Sequence, residues 1–485
     1  MLSSRRLLPE VLAFARAQQL SLYLVGGFLR DALLGRSKHT LNIDFAIASQ
    51  ALAVGRRLAQ AVGGSFVCLD EEAGSARVVV GEAKARVELD LSDFRAPTLE
   101  SDLAKRDFTV NAMALPLERW CAGPGWERWL IDPLRGRDDL AAKRLRACFP
   151  ETFLEDPVRI LRACRFAVEL DFTLEPSLGP LMASAATRLA RISGERVRDE
   201  LLAIFTTDRA HWALAQLNEV GVLDVLFPEL LPGRGMDQGT YHHLDVLGHQ
   251  LETVAQGDRM MTDFAEFAPE LREPLRAYAA VELVEKRSRK ALIKLAGLYH
   301  DVGKPATRRV KEDGEIWFLG HEQFGQMLAA PMTERLRLSN REAEMIRRLV
   351  LSHLRPGHLS REPQLTRRAI FRFFRDLDED GPACLLLWWT DRMATRGSGS
   401  HLDQIDQQRM RLSELLRAYF FHAEEVVKPP RLVDGHALMR ALTLASGPKV
   451  GEVLRLIQEA QAEGTVRTTD EALALARRLV QSMAD

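Results

Sequence analysis

Residues 24–47, LVGGFLRDALLGRSKHTLNIDFAI, join a glycine pair to an Arg-Asp step and then to a strand with two polar residues. LYLVGG predicts a strand and FLRDALL a helix, so Gly26 and Gly27 lie where free backbone N–H groups and the helix dipole attract phosphate. Asn42 and Asp44 are two positions apart on the next predicted strand, so both side chains leave one face of a sheet. This stretch therefore predicts a site for a cation and a phosphate chain.

A second strand strengthens this prediction. RVELDLSDFR, residues 86–95, places Glu88 and Asp90 on one face, and Mg²⁺ is a hard cation that prefers carboxylate and phosphate oxygens. Arg30, one turn into the predicted helix, adds a charged fork for phosphate. In such a site two metal ions activate an attacking hydroxyl and stabilise a leaving pyrophosphate.

Composition limits the class of protein. At 485 residues, and roughly 150 residues per domain, about three folding units are expected. A net charge of −1 excludes a uniformly basic nucleic-acid coat. The five cysteines show no CxxC spacing, which argues against a disulfide framework and a thiolate zinc site. No apolar run approaches the ~18 residues of a membrane span, and the first residues indicate an amphipathic helix rather than a transit peptide. We therefore expect a cytoplasmic protein without a membrane partner.

The pattern of predicted elements changes along the chain. Up to about residue 115, short β-branched runs alternate with helical patterns, which is typical of a small α/β domain. Residues 131–148 form a turn-rich connector, and from about residue 150 helix-period segments dominate. Residues 227–241 are rich in Gly and Pro and indicate a boundary inside the helical region.

A pair of opposite charges follows the connector in EDPVR, residues 155–159. Asp156 and Arg159 share a face if a helix begins here, as Pro157 in a first turn suggests. Cytosine and adenine each present an amino donor beside a ring-nitrogen acceptor, the order that an aspartate and a guanidinium complement, whereas uracil and guanine present the opposite order. The pair thus fits a protein template for C and A, and the alternative is an ordinary surface ion pair.

Three ordered motifs carry a family resemblance: residues 25–48, then DLAKRDFTVNAMAL at 102–115, then FLEDPVRILRACRFAVEL at 153–170. They resemble the bacterial tRNA nucleotidyltransferase and poly(A) polymerase family, of the class II CCA-adding type. The resemblance implies an α/β nucleotidyltransferase head, an all-α neck and body, an all-α HD domain and a helical C-terminal tail. The expected bounds are 1–135 for the head, 136–230 for the neck and body with the nucleobase template and RNA-binding helices, 231–400 for the HD domain and 401–485 for the tail.

The resemblance also assigns roles to residues of the head. The catalytic and metal-binding positions, for Mg²⁺, fall on Asn42, Asp44 and Asp90. The nucleotide-binding positions fall on Gly26, Gly27, Arg30, Arg106, Asp107, Asn111, Glu155, Asp156 and Arg159. The implied partners are tRNA, CTP and ATP.

Histidines gather in the second half of the chain, beside an HDVGK step at 300–304. Imidazole and carboxylate ligands without thiolates suit a divalent metal that polarises phosphate or generates hydroxide. The pattern resembles the HD phosphohydrolase superfamily, which implies a transition metal or Mg²⁺ and a phosphate contact from Lys304. The implied metal ligands are His249, His300, Asp301, His321, His353 and Asp391.

Two departures from the family pattern leave alternatives open. Asn42 stands where the family has an acid, so we expect weaker metal binding through its amide oxygen. The short link APTLES, residues 96–101, resembles enzymes that add CC without the final A. The alternatives are an HD phosphohydrolase with a degenerate head, a poly(A) polymerase, and an RNA-binding factor without strong catalysis. Residues 367–376, RRAIFRFFRD, indicate either phosphate contacts or a solvated face.

Overall fold

The computed structural model describes residues 4–36, 41–81, 86–398 and 402–483. The chain divides into two units, which are described separately. The first comprises residues 1–192 and 219–225, and the second comprises residues 193–218 and 226–485.

The alternating segments of the first unit form a six-stranded mixed sheet. Its strands are β1 Tyr23–Val25, β2 Leu41–Ile47, β3 Ser65–Asp70, β4 Ser75–Val80, β5 Val87–Asp93 and β6 Ala114–Pro116. They lie in the order β3-β4-β5-β2-β1-β6. Strands β2 and β5 are parallel, and each other neighbouring pair is antiparallel. A two-stranded ribbon follows, β7 Arg144–Leu145 with β8 Thr173–Leu174.

Alternation along β2 and β5 separates the two faces of this sheet. Ile43, Phe45, Leu89 and Leu91 are buried in a hydrophobic core with residues of the first and third helices. The intervening polar positions therefore lie together on the opposite face. The helices along this part of the chain are α1 Ser4–Ala17, α2 Gly26–Leu33, α3 Ala51–Val62, α4 Leu99–Ala104, α5 Leu117–Cys121, α6 Gly136–Ala141, α7 Thr152–Glu155, α8 Arg159–Leu170 and α9 Leu178–Ala185.

Helices dominate the rest of the chain. They are α10 Gly194–Thr206, α11 Ala210–Glu219, α12 Val222–Leu226, α13 Val246–Asp263, α14 Pro269–Ala280, α15 Arg289–Tyr299, α16 Lys304–Thr307, α17 His321–Arg335, α18 Asn340–Ser352, α19 Arg355–Arg361, α20 Arg367–Leu377, α21 Gly381–Ala394, α22 Ile405–Phe421, α23 Gly435–Leu442, α24 Pro448–Glu463 and α25 Thr469–Ser482. Two ribbons interrupt them, β9 Glu282–Val284 with β10 Arg287–Ser288, and β11 Arg309–Val310 with β12 Ile316–Trp317.

Helix α15 is the centre of the second unit. Its residues after Lys290 are all buried, and it packs against α13, α18 and α21. A helix that is buried on every side has no solvent face, so neighbouring helices surround it. The chain emerges from α15 at His300, inside this bundle.

The predicted fold class, an α/β head followed by helical domains, is confirmed. Three details of the sequence-based prediction were wrong. Strand β6 was missed, the connector at 131–148 contains helix α6, and helix α8 begins at Arg159, so Asp156 lies before it rather than inside it. None of the helices in the described ranges combines the length and apolar character needed to cross a bilayer.

Candidate active site and metal centre

The predicted metal ligands of the head lie on the polar face of the sheet. Asn42 pairs with Glu88, and Asp44 with Asp90, in the register of β2 and β5. Because these strands are parallel and in register, side chains from residues nearly fifty positions apart along the chain become neighbours. The structure thus brings Asn42, Asp44 and Asp90 together.

Gly26 lies directly against the Asp44 carboxylate. It begins helix α2 with φ +68°, and a Cβ there would lie 2.8 Å from Asp44 Oδ2. That space, and a left-handed conformation that side chains rarely adopt, explain why glycine is needed here. At Gly27 a Cβ would lie 3.5 Å from Arg30 Nη2, which is ordinary contact.

The Asp44 carboxylate has no cationic partner among the described residues. Burial, and then the nearby Asp90, raise its pKa to about 6. The positive charges of Arg106, Arg162 and Arg77 lower this pKa, but by less than burial raises it. Within the described residues no hydrogen bond or ion pair engages this carboxylate, which fits a group that binds a metal ion.

Asp90 differs from Asp44 because it already has a cationic partner. Arg77, its register neighbour on β4, donates from Nε to Oδ1 at 2.7 Å and from Nη2 to Oδ2 at 2.8 Å. The amide nitrogen of Asn42 donates to Asp90 Oδ2 at 3.3 Å. Both oxygens of the predicted third ligand are therefore engaged by protein donors.

The sequence predicts that Arg30 binds phosphate, whereas in the structure its guanidinium binds protein side chains. It is 3% exposed, donates to Asp31 Oδ1 from Nε and Nη2, and donates from Nη1 to Asn111 Oδ1 at 2.8 Å. Asn111 in turn donates to Asp107 Oδ1 at 3.3 Å. These contacts assign Arg30 to an internal network that holds the segment after α4 against α2.

Asp107 continues this network to helix α8. It accepts two hydrogen bonds from Arg162, at 3.1 and 2.8 Å, and one from the backbone of Phe108. Burial opposes ionisation, but Arg162 and these hydrogen bonds lower the pKa of Asp107 to about 2. Sequence reasoning missed Arg162, although its position three residues after Arg159 and three before Arg165 was a usable signal.

Arg106 is anchored by the helix that precedes it. Its Nε and Nη2 donate to Asp102 Oδ2 at 3.3 and 3.0 Å, and Asp102 is 1% exposed. The other Asp102 oxygen accepts from the backbone N–H of Arg95 at 3.1 Å. These hydrogen bonds fix the position of Arg106, whose positive charge lowers the pKa of Asp44.

The expected template pair remains adjacent although Asp156 precedes helix α8. Arg159 Nε lies 3.9 Å from Asp156 Oδ2, and Arg159 Nη1 donates to Thr152 Oγ1 at 2.8 Å. Glu155 accepts from Lys105 Nζ at 3.0 Å. Thr152 is fully buried, so it fixes the guanidinium in place; sequence reasoning did not single it out.

The predicted HD ligands converge inside the second unit. Their ligand atoms form two overlapping groups that share Asp301, namely His249, His300 and Asp301, and Asp301, His321 and His353. Within each group the atoms lie within 4.8 Å of one another. Asp391 joins the first group, with Oδ1 2.9 Å from His249 Nε2 and 3.5 Å from His300 Nε2.

Backbone carbonyls orient three of these imidazoles. The Nδ1 atoms of His300, His321 and His353 lie 2.7–2.8 Å from the carbonyls of the residues three positions earlier. Nε2 of each ring is thus directed toward the cluster, the arrangement found for metal-binding histidines. His300 Nε2 is buried and lies 3.2 Å from Asp301 Oδ2 and 3.5 Å from Asp391 Oδ1, so these three atoms converge as ligands of one metal ion would.

Burial and neighbouring charges shift the pKa values of the histidines in this cluster. Burial disfavours the charged form of His300, but Asp301 and Asp391 outweigh it and raise the pKa of His300 to about 10. Burial also lowers the pKa of His353 to about 3, and His300 and His321 act in the same direction. Lys304, the expected phosphate contact, lies 2.6 Å from Asp301 Oδ2, so it serves first as a counter-charge to that carboxylate.

Comparisons with known proteins identify the domains in which these residues lie. Residues 22–146 match the poly A polymerase head domain, residues 171–233 match the family described as "Probable RNA and SrmB- binding site of polymerase A", and residues 258–376 match the HD domain. The A-adding tRNA nucleotidyltransferase of Deinococcus radiodurans is 36% identical over 464 residues, which cover 94% of each chain. The chain belongs to the bacterial tRNA nucleotidyltransferase and poly(A) polymerase family. The predicted family is therefore confirmed.

Other members of the family extend the likeness over nearly the whole chain. The CC-adding tRNA nucleotidyltransferase of Thermus thermophilus is 33% identical and covers 93% of this chain and 92% of its own. The solved structure of the Thermotoga maritima CCA-adding enzyme complexed with tRNA has a TM-score of 0.60 and 22% identity, over 99% and 94% of the two chains. At that identity the structural match supports the fold alone.

Proposed function

We propose that the chain transfers CMP or AMP from CTP or ATP to the 3′ hydroxyl of tRNA without a nucleic-acid template. The observation that carries this proposal is the link between two sites in one unit. The Lys105 side chain pairs with Glu155, and the Lys105 backbone oxygen accepts a hydrogen bond from Arg159 at 3.4 Å. The next residue, Arg106, lowers the pKa of Asp44 through its positive charge. A base at Asp156 and Arg159 would therefore have its triphosphate directed toward Asp44.

The residues of the chain divide the chemical work. Asp44, on the face that it shares with Asn42 and Asp90, would hold Mg²⁺, which supplies charge that activates the attacking hydroxyl and stabilises the leaving pyrophosphate. Asp156 accepts from an amino group and Arg159 donates to a ring nitrogen, so C and A are bound and U and G are rejected. RNA would be recognised mainly through its backbone and shape.

The choice between C and A depends on the link between β5 and α4. Only residues 94–98 separate the strand from the helix, and the Thr98 side chain caps the helix while Ser101 caps Thr98 in return. A short, capped link has little freedom to remodel the base pocket between two nucleotides, which favours a CC-adding enzyme. A-adding activity is the second candidate, favoured by the 36% identity to the A-adding relative.

Extension assays on defined tRNA ends separate these activities. One substrate ends at the discriminator base and receives CTP plus ATP, and a second ends in CC and receives ATP. Two added C residues on the first substrate identify a CC-adding enzyme, and A added only to the second identifies an A-adding enzyme. Full CCA refutes both restricted forms, a long A tail identifies a poly(A) polymerase, and no extension refutes the proposal.

Asn42→Asp tests whether the metal shell includes position 42. An added carboxylate binds Mg²⁺ more strongly than an amide oxygen, so turnover should rise or the Mg²⁺ concentration for half-maximal extension should fall several-fold. Gln50→Glu, the corresponding change from amide to acid at an exposed position, is the control for a general charge effect. Unchanged turnover and unchanged Mg²⁺ dependence in Asn42→Asp would place residue 42 outside the metal shell.

The HD domain supports a second, independent activity. Its histidines and carboxylates without thiolates fit a site for two divalent ions, either transition metals or Mg²⁺. Such ions polarise phosphate and generate hydroxide near neutral pH, so we infer that this domain hydrolyses phosphate esters on nucleotides or RNA ends. The observation that supports a bound ion is the convergence of buried ligand atoms from His249, His300 and Asp301, and from Asp301, His321 and His353.

Reciprocal variants test the two activities separately. Asp301→Asn should abolish metal-dependent phosphate release and leave tRNA extension unchanged, because the two sites lie in different units. Asp44→Asn should do the reverse. Phosphate release without extension in the unmodified protein would favour the alternative of an HD phosphohydrolase with a degenerate head, and RNA retention alone would favour a binding factor.

A further inference from the structure

A ladder of alternating charges lies beside the candidate metal site of the head. Arg77 lies between two acids, with a fork of two hydrogen bonds to Asp90 and Nη1 2.8 Å from Glu88 Oε2. Arg86 Nη2 lies 2.7 Å from the other oxygen of Glu88. The carboxylates of Glu88 and Asp90 thus already have guanidinium partners within the sheet.

The geometry of the Arg77 fork makes this pairing strong. Parallel N–H donors on a planar guanidinium match the two oxygens of a carboxylate, which gives shorter and stronger hydrogen bonds than a single contact. The Arg77 side chain is 25% exposed and that of Asp90 14%, so water screens the pair only in part. Strand register places these residues opposite each other, so the pair forms without any displacement of the backbone.

The charge count on this face disfavours two metal ions. Asp44, Glu88 and Asp90 oppose Arg77 and Arg86, which leaves a net charge of −1 on these five side chains. A second divalent ion would need Asp90, yet both of its oxygens face the Arg77 fork and Asn42 adds no charge. Asp44 is different, because no protein cation is bound to it within the described residues.

We propose that Arg77 is a fixed cation that withdraws Asp90 from metal binding, so that the head holds one divalent ion, at Asp44 and the nucleotide. This inference rests on the proposed nucleotidyltransferase function. Arg77 is then a positioning residue that sets the metal requirement. Asn42 and Arg77 have the same effect on the charge of the site. Asn42 stands in place of an acid, and Arg77 neutralises the charge of Asp90.

Counting bound Mn²⁺ by electron paramagnetic resonance tests the proposal directly. The full chain is titrated with Mn²⁺ in the presence of a non-hydrolysable CTP analogue, and variants are compared with the unmodified protein so that ions in the HD domain cancel. Arg77→Gln should bind one additional Mn²⁺. Its Mg²⁺ concentration for half-maximal tRNA extension should fall about ten-fold, because the Asp90 carboxylate then becomes available beside that of Asp44.

Two matched variants separate charge from structure. Arg77→Lys retains the positive charge and should bind the same number of Mn²⁺ ions as the unmodified protein. Arg86→Gln removes a guanidinium from the same ladder without touching Asp90, and it should also leave the count unchanged. The proposal is overturned if Arg86→Gln binds more Mn²⁺ ions than the unmodified protein, or if Arg77→Gln binds no additional Mn²⁺ ion.

A double variant keeps the test decisive if Arg77→Gln fails to fold. Arg77→Gln with Asp90→Asn replaces an ion pair by a neutral pair, so the Mn²⁺ count should equal that of the unmodified protein. A count lower by one would show that Asp90 is a ligand in the unmodified protein and would overturn the proposal. If the unmodified protein extends no tRNA, the proposed function fails, while the Mn²⁺ counts still decide the role of Arg77.

Discussion

Substitution of Gly26 by alanine should impair catalysis far more than it impairs folding. Gly26 has φ +68°, so a side chain there costs about 1–2 kcal/mol in backbone strain. The new Cβ would lie 2.8 Å from Asp44 Oδ2, whereas ordinary contacts begin at 3.4 Å. The carboxylate must therefore move by about 0.6 Å, and a misplacement of about 1 Å at a reacting centre costs roughly 100-fold in rate. We expect about a ten-fold loss of turnover or more.

Gly35→Ala is the matched control for this substitution. Gly35 has φ +66° at the other end of the same helix, and a Cβ there meets nothing within 4 Å. Both variants carry a similar backbone cost, so their free energies of unfolding in urea should fall by similar amounts. Single-turnover extension of tRNA with CTP or ATP should fall only in Gly26→Ala. Equal extension rates in the two variants would refute the argument that Gly26 positions Asp44.

Further predictions concern the template and the tail. Thr152→Val removes the hydrogen bond that holds Arg159. Loss of about 1 kcal/mol corresponds to about a five-fold change, so the ratio of kcat/KM for CTP to kcat/KM for UTP should fall about five-fold. An unchanged ratio would contradict the positioning role of Thr152. Glu459 accepts from Arg372 and Arg375 and is 2% exposed. Glu459→Gln should lower the free energy of unfolding by about 2 kcal/mol at pH 7. Although burial opposes ionisation, arginines lower the pKa of Glu459 to about 2, so its contribution is complete above about pH 4.5 and is lost as the pH falls toward 2. Urea unfolding at pH 7 and pH 3 should show a smaller difference between the two proteins at pH 3, and an equal difference would exclude the carboxylate as the cause.

The arginines of helix α20 illustrate a limit of reasoning from sequence. RRAIFRFFRD indicated either phosphate contacts or a solvated face. In the structure Arg368, Arg372 and Arg375 converge on Glu459 of helix α24. That partner lies some ninety residues further along the chain, so no local pattern predicts it.

What the sequence alone determined is local. Two-residue spacing placed Asn42 with Asp44, and Glu88 with Asp90, because side chains alternate along any strand. The glycine pair predicted the helix start that the structure has at Gly26, and the ordered motifs identified the family. The spacing arguments depend on residues within a few positions of one another, and each family motif is a continuous stretch of sequence.

What only the tertiary structure decided depends on register and on distance through space. The pairing of Arg77 with Asp90, the contact of Gly26 with Asp44 and the support of Arg159 by Thr152 each follow from how separate elements align. The backbone hydrogen bonds of a sheet set which residues of two strands face each other, and spacing within one strand carries no record of that choice. Sequence could therefore predict the acids of the candidate site, while the structure determined that Arg77 pairs with Asp90 and that no described cation pairs with Asp44.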